Sequence, residues 1–70
     1  MKPIEVFQKY LRQSVLVEVK GGKTYRGVLD GFDQHMNLVL NDTVEVLENG
    51  TTKPCGTALF RGDSVLYVAP

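Results

Sequence analysis

The spacing of apolar residues along the chain changes from that of a helix to that of strands. Pro3 suits the first turn of a helix, where its missing N–H costs nothing, and apolar residues recur at helical spacing from there to about Leu11. From Val15 the period becomes two, with Val17 and Val19 on the same side of the strand as Val15. The pattern therefore predicts a short amphipathic helix followed by a β-rich body.

Turn-forming glycines and two polar segments divide the rest of the chain into strands. Residues 21–23 (Gly-Gly-Lys) and 49–50 (Asn-Gly) predict hairpin turns. Gly27 and Gly31 lie inside a strand pattern, where glycine commonly marks a bulge or a bend. The strands are expected over about residues 15–20, 24–32, 36–46, 53–60 and 64–68. The elements predict a mostly β fold, in which a short N-terminal helix precedes a strongly bent five-stranded antiparallel sheet that forms a small open barrel.

Size, charge and cysteine content narrow the class of protein. Seventy residues make one domain near the lower limit for folding on a single apolar core, which favours stabilisation by self-association. The single cysteine, Cys55, forms no internal disulfide and belongs to no zinc-binding pattern, which indicates a reducing cytoplasm. No apolar run approaches the ~20 residues of a membrane span, so no membrane association is expected. Eight basic and eight acidic residues cancel, so any anionic ligand must be held by local geometry.

The last predicted strand indicates association with another copy of the chain. An open barrel has two unpaired edge strands, and residues 65–68 (Val-Leu-Tyr-Val) are apolar on both faces without Lys or Pro. We therefore expect another subunit to cover this strand. Identical subunits joined edge to edge make head-to-tail contacts, which close into a ring when the rotation per subunit divides a full turn.

Two polar loops, residues 33–37 and 61–63, each interrupt strongly apolar, strand-forming sequence. If the strands form one barrel, the loops can meet and display an imidazole, a carboxamide, a guanidinium and a carboxylate together. Each residue also has an ordinary interpretation: His35 is an exposed loop histidine, Asn37 and Asp33 are turn caps, and Arg-Gly-Asp is a surface turn. No local motif pairs a nucleophile with the only histidine, and no residue set closes a metal site. Neither an enzyme nor a cofactor is expected.

Two sequence motifs contain these loops. The first, GVLDGFDQHMNLVL, spans residues 27–40, and the second, LFRGDSV, spans residues 59–65. With these motifs at this separation behind an N-terminal helix, the chain resembles the Sm and Sm-like (LSm) RNA-binding proteins of the archaeal type over essentially its whole length. Bacterial relatives with six-membered rings carry a Lys-His pair in the second motif. The Arg-Gly-Asp sequence at residues 61–63 argues against that branch.

The resemblance implies a single Sm-like domain over residues 1–70. Its parts would be the helix at about 3–11, the first motif region at about 15–46 and the second at about 53–69. It implies the Sm fold, a helix-capped SH3-like barrel whose fourth strand pairs with the fifth strand of a neighbour in a ring, most often a homoheptamer. It also implies a cytoplasmic RNA chaperone or scaffold in RNA processing that binds uridine-rich single-stranded RNA at the inner rim of the pore.

The site residues that the resemblance implies lie in the two loops: His35, Asn37, Arg61, Gly62 and Asp63. We expect His35 and Arg61 to stack on the two faces of uracil while Asn37 pairs with its edge. A flipped Asn37 amide would pair equally well with cytosine, so we expect the Asp63 carboxylate to accept one Asn37 N–H and fix the amide. The alternative is a ring-forming structural or protein-interaction module of the same shape with little RNA affinity. Net neutrality slightly favours that alternative, whereas the four polar side chains favour RNA.

Overall fold

One short helix and one five-stranded antiparallel sheet account for residues 1–70, all of which the computed structural model describes. The elements are α1 (Pro3–Tyr10), β1 (Ser14–Val19), β2 (Thr24–Phe32), β3 (Leu38–Val46), β4 (Thr52–Phe60) and β5 (Val65–Ala69). The strand order is β4-β3-β2-β1-β5, so β4 and β5 are the two edges of an open sheet. This architecture confirms the predicted open barrel with an N-terminal helix.

α1 is held against β2 by side-chain packing and by backbone hydrogen bonding. The helix begins at Pro3, and the ring of Phe7 packs against that of Phe32 with centroids 5.6 Å apart. Just beyond the helix, the backbone N–H of Arg12 donates to the carbonyl oxygen of Leu29 at 2.8 Å. The role of α1 in the fold is therefore to cover part of the sheet.

No helix of the structure combines the length and the apolar character needed to cross a membrane.

The apolar core lies inside the bent sheet and follows the period-two pattern of the strands. Side chains with no measurable solvent exposure come from β1, β2 and β3: Val15, Val17, Leu29, Leu38 and Leu40. Phe60, at the end of β4, completes the core and meets Tyr25 edge to face with ring centroids 5.1 Å apart. Two of these core residues, Leu38 and Phe60, directly adjoin the polar loops, so core packing anchors the strand ends from which both loops project.

Irregularities in strand pairing bend the sheet at the positions that the strand glycines predicted. The register between β2 and β3 shifts around Gly27 and again just before Gly31. A Cβ atom on Gly27 would lie 3.0 Å from the carbonyl oxygen of Asn41, closer than side chains normally pack. Bulges increase the local twist, which lets five short strands curl around one core.

The strands that follow the two polar loops begin later than predicted. β3 begins at Leu38 instead of Met36, since Met36 has a φ of 63°, in the left-handed region that strand residues do not adopt. β5 begins at Val65 because Gly62–Ser64 form a 3₁₀ turn. In the first loop, hydrogen bonds from the backbone to the Asp33 side chain replace strand pairing.

The two edge strands leave apolar side chains in solvent. Leu59 on β4 is 71% exposed, and Leu66 and Tyr67 on β5 are 55% and 47% exposed. An open cleft of about 560 Å³ lies along β4, lined in part by Tyr25, Leu59 and Phe60. Free backbone groups beside exposed apolar side chains form a surface that an additional strand can cover.

Candidate nucleic-acid interface

The two polar loops lie side by side because the strands that carry them are paired. Leu38, the first residue of β3, is the cross-strand partner of Phe60, the last residue of β4. The loop before Leu38 and the loop after Phe60 therefore leave the sheet at the same place. They approach closely at Gly62, where a Cβ atom would overlap the carbonyl oxygen of His35. A glycine at this position is what permits the contact.

The carboxylate of Asp33 organises the loop between β2 and β3. Its Oδ1 accepts the backbone N–H groups of His35 at 2.9 Å and of Asn37 at 3.1 Å. The backbone N–H of Met36 also donates to the carbonyl oxygen of Asp33 at 3.0 Å. Asp33 is thus the turn cap that the sequence predicted, and it fixes the backbone that carries His35 and Asn37.

The carboxamide of Asn37 joins the two loops. Its Oδ1 accepts the backbone N–H of Gly62 at 2.8 Å, and its Nδ2 donates to Oδ2 of Asp33 at 2.9 Å. The reversed amide would set Nδ2 against the N–H of Gly62 and Oδ1 against a carboxylate, so the network itself assigns the orientation. One N–H of Nδ2 and a second lone pair of Oδ1 remain for a ligand.

The hydrogen bonds around Asp33 also shift its pKa. The pKa of this carboxyl lies below its usual value, chiefly because the Asn37 side-chain amide donates to it, while partial desolvation opposes the shift. The backbone N–H groups of Asn37 and His35 and the charge of His35 lower the pKa further. The group is therefore ionised at neutral pH and acts only as a hydrogen-bond acceptor.

The hydrogen bond predicted between Asn37 and Asp63 is not formed, and that prediction is wrong. Asp63 instead accepts a hydrogen bond from Nη2 of Arg61 at 3.3 Å. Asp33 takes the predicted role because it lies four residues before Asn37 in the same tight turn, while the N–H of Gly62 occupies the other side of the amide. The sequence signal was available, since an Asp at the start of a turn bonds to groups a few residues further on.

The other predicted site residues lie on the same two loops, and their side chains are exposed. His35 is exposed, and the side chains of Arg61 and Asp63 are 78% and 67% exposed. The Arg61–Asp63 ion pair is open to solvent and contributes little to stability, so it does not withhold the guanidinium from a ligand. We call the surface formed by His35, Asn37, Arg61, Gly62 and Asp63 the rim patch. It combines two exposed planar groups, an imidazole and a guanidinium, with one carboxamide of fixed orientation.

Sequence comparison assigns the family. Residues 5–70 match the LSM domain. The chain belongs to the LSM domain family. It is of the archaeal Sm-like type, being 42% identical over 69 residues to an snRNP Sm-like protein of Archaeoglobus fulgidus, across 99% of this chain and 90% of that protein. An snRNP Sm-like protein of Thermococcus sibiricus is 44% identical over 70 residues, across 99% of this chain and 91% of that protein. The resemblance seen in the two motifs is thereby confirmed.

Solved structures of archaeal Sm proteins share the fold of this LSM-domain chain. The Sm protein of Pyrococcus abyssii, in complex with a uridine heptamer, is similar with a TM-score of 0.91 and 37% identity, covering 100% of this chain and 99% of that one. The SmAP1 heptamer of P. aerophilum is similar with a TM-score of 0.94 and 34% identity, covering 100% of this chain and 93% of that one. The expected Sm fold is confirmed over the full length of the chain.

Proposed function

We propose that this LSM-domain protein forms a homoheptameric ring that binds uridine-rich single-stranded RNA at the inner rim of its pore, as an RNA chaperone or scaffold in RNA processing. The observation that carries the proposal is the Asn37 carboxamide, held in one orientation beside exposed His35 and Arg61. The uridine heptamer bound to the Pyrococcus abyssii relative supports the ligand, and the P. aerophilum heptamer supports the ring. The protein acts by binding and not by catalysis. The free thiol of Cys55 supports a cytoplasmic location.

The proposed ring follows from the two edge strands, β4 and β5, each of which has one unpaired side. β4 of one protomer pairs with β5 of the next, in a head-to-tail contact that each further copy repeats. Leu59, Leu66 and Tyr67, which one chain leaves in solvent, become covered in this contact. Closure of the ring then arranges seven rim patches around one pore. Each protomer is a single domain, and its two motif regions, about 15–46 and 53–69, supply one loop each to its rim patch.

In the proposed site, a base lies between the planar side chains of His35 and Arg61. Stacking contributes roughly 1–3 kcal/mol per base and tolerates any sequence. The guanidinium also places positive charge near the phosphodiester backbone. Asp63 orients this guanidinium through their 3.3 Å ion pair, and Gly62 brings the two loops together.

The edge of the base is recognised by Asn37. Uracil presents an N–H donor at N3 beside a carbonyl acceptor at O4. Oδ1 of Asn37 accepts from N3 while Nδ2 donates to O4, using the two hydrogen-bonding positions that the chain leaves free. Cytosine presents an acceptor and a donor in the opposite places, so it does not match this orientation.

Repetition of one weak site around a rigid ring raises the affinity for a strand. Once the first nucleotide is bound, the remaining sites meet their nucleotides at a high effective concentration. A protomer with no net charge can therefore belong to an assembly that binds RNA tightly. Affinity should rise steeply with the length of oligouridine until the ring is filled, and a flat dependence on length would contradict this.

Fluorescence anisotropy with oligouridine and oligocytidine at two salt concentrations tests the proposal, with native mass spectrometry to establish the ring. We expect tighter binding of oligouridine and an affinity that falls as salt rises, because RNA-bound counterions are released on binding. An intact ring that binds neither oligonucleotide would instead favour the structural or protein-interaction module, which the net charge of zero supports.

A further inference from the structure

The orientation of one amide group decides which pyrimidine the rim patch accepts. Uracil and cytosine present opposite donor and acceptor patterns on the edge that Asn37 faces in the proposed site. A carboxamide matches either base after a half-turn about its own bond, because its oxygen and its NH₂ group exchange places. A preference for uridine therefore requires a device that prevents the Asn37 amide from turning.

Two groups of opposite character hold this amide. The N–H of Gly62 is a donor at 2.8 Å from Oδ1, and the carboxylate of Asp33 is an acceptor at 2.9 Å from Nδ2. Turning the amide would bring two donors together at Gly62 and two acceptors together at Asp33. The contact with Asp33 is the stronger constraint, since a hydrogen bond to an ionised group is stronger than one between neutral groups. The N–H of Gly62 belongs to the backbone, so the carboxylate is the part that a side-chain change can remove.

We propose that Asp33 makes the rim patch specific for uridine over cytidine by holding the carboxamide of Asn37 in the uracil-matching orientation. This inference rests on the proposed RNA-binding function and names the residue that sets its specificity. Both oxygens of Asp33 are already engaged within the loop, Oδ1 by the backbone of His35 and Asn37 and Oδ2 by the Asn37 amide. Asp33 is therefore a positioning residue that acts on the base through Asn37.

Two further properties of the loop agree with this role. Asn37 is half-buried between the loops, whereas Asp33 and His35 are exposed, so the amide is confined while its neighbours face solvent. The same hydrogen bonds lower the pKa of Asp33, which keeps the carboxylate ionised and acceptor-only at neutral pH.

The substitution Asp33→Asn tests the inference directly. The new amide can keep its oxygen toward the backbone N–H groups, but its NH₂ group then faces Nδ2 of Asn37. Neither orientation of Asn37 would satisfy both of its neighbours, so the bias between the orientations is lost. We expect the ratio of the Kd for oligocytidine to the Kd for oligouridine to fall by about tenfold, the effect of one charge-assisted hydrogen bond.

Asp63→Asn is the matched comparison, because it also removes one carboxylate charge from the two polar loops but does not touch Asn37. Asp63 contacts Arg61 at 3.3 Å, and we expect its loss to change both dissociation constants by the same factor. The ratio between them should therefore stay at the wild-type value. Anisotropy with the two oligonucleotides, at one salt concentration, measures both variants.

A second variant, Asp33→Ser, separates the two roles of the carboxylate, which are to cap the turn and to hold the Asn37 amide. A serine hydroxyl can still accept a backbone N–H and cap the turn, but it is too short to reach Nδ2 of Asn37. The N–H of Gly62 would still disfavour the turned amide. We therefore expect a ratio between those of the wild type and Asp33→Asn, and this variant decides the question if Asp33→Asn does not form rings.

A measurement without RNA tests the geometry on its own. In the NMR spectrum of the intact wild-type ring, the Asn37 side-chain N–H that donates to Asp33 should resonate downfield and exchange slowly with solvent. Asp33→Asn and Asp33→Ser should abolish this signature, whereas Asp63→Asn should retain it.

The possible outcomes distinguish this inference from the proposed function. If the wild type prefers oligouridine and a ring-forming Asp33 variant keeps the wild-type ratio, or loses affinity equally for both oligonucleotides, the inference is overturned and the RNA-binding function stands. If the wild type shows no preference for oligouridine, the proposed function fails and the inference fails with it.

Discussion

The rim patch and the free edges of the sheet differ in how far one chain satisfies its own hydrogen-bonding groups. In the rim patch, the amide of Asn37 is bonded on both sides, at 2.8 Å to Gly62 and at 2.9 Å to Asp33. At the edges, β4 and β5 each pair on one side only, and Leu59 and Leu66 stand in solvent beside the unpaired backbone. The hydrogen bonds of the first region are complete within a protomer, and in the proposed ring the second region is completed by another copy.

From this difference we expect the rim patch to set base specificity and the sheet edges to set affinity through ring assembly. In the proposed site, the hydrogen bonds that orient Asn37 all come from one protomer, so we expect base specificity to be a property of the chain. Tight binding requires several such sites on one strand, so affinity is a property of the ring. Changes at the edges and changes at the rim should therefore have separable effects on assembly, affinity and specificity.

The largest effect is expected from a charge placed on the free edge of β5. Leu66→Lys would place an ammonium group on a surface that the proposed contact covers, so we expect the ring to dissociate and RNA affinity to fall by more than about 100-fold, as multivalency is lost. Native mass spectrometry and anisotropy measure the two effects. Leu47→Lys is the control, because Leu47 is 37% exposed and lies outside both edge strands. A seven-membered ring that survives Leu66→Lys would contradict the proposed pairing.

The second-largest effect is expected from a substitution at Gly62, where the two loops touch. Gly62→Ala would push a methyl group into the carbonyl oxygen of His35, so the loops must separate and the bond from Gly62 to Asn37 is lost. We expect a loss of about 1–3 kcal/mol in the free energy of unfolding, together with weaker RNA binding. Denaturant titration measures the stability. Gly31→Ala should be nearly neutral, because its Cβ would meet nothing within 4 Å, and equal effects of the two changes would refute the close approach.

Loss of one stacking side chain should weaken binding without changing its specificity. We expect His35→Ala or Arg61→Ala to lower the affinity for oligouridine and for oligocytidine by about tenfold each, since stacking tolerates any base. The ring should persist, because neither residue lies on an edge strand. Arg61→Lys separates charge from planarity: affinity should fall while the dependence on salt stays at the wild-type slope. A change in the ratio of the two affinities would show that these side chains select the base.

The smallest effect is expected from pH, and its sign follows from the lowered pKa of Asp33. The stabilisation from the ionised carboxylate is fully present above the unfolded-state value of about 3.9 and is lost as the pH falls through the lower folded-state pKa. The difference in Tm between the wild type and Asp33→Asn should therefore stay constant from pH 8 to 5 and narrow only below about pH 4. Calorimetry at several pH values checks this, and a gap that closes between pH 7 and 5 would show that another group is responsible.

Short-range patterns in the sequence predicted most of the fold. Pro3 marked the start of the helix, and the alternation from Val15 onward marked residues that are buried in β1. Gly27 and Gly31 marked the shifts in register that bend the sheet. These features depend on backbone geometry and on the side of a strand that each residue occupies, both of which are local properties of the chain.

The boundaries of the loops were predicted less well, for an equally local reason. Met36 follows a turn and precedes apolar residues, which favours a strand, yet its φ of 63° places it in the turn. The hydrogen bonds from the backbone to Asp33 compete with strand pairing there, and apolar spacing does not report such a competition.

By itself, the sequence determined the elements, their order, and the two loops that carry an imidazole, a carboxamide and a guanidinium. The contact that completes the hold on the Asn37 amide was decided only by the tertiary structure, which brought the N–H of Gly62, 25 residues further along the chain, to the Oδ1 of Asn37. The physical reason is that a hydrogen bond depends on distances and angles set by the packing of Leu38 against Phe60 across two strands. Residue types and their spacing specify which groups are present, and the fold decides which of them meet.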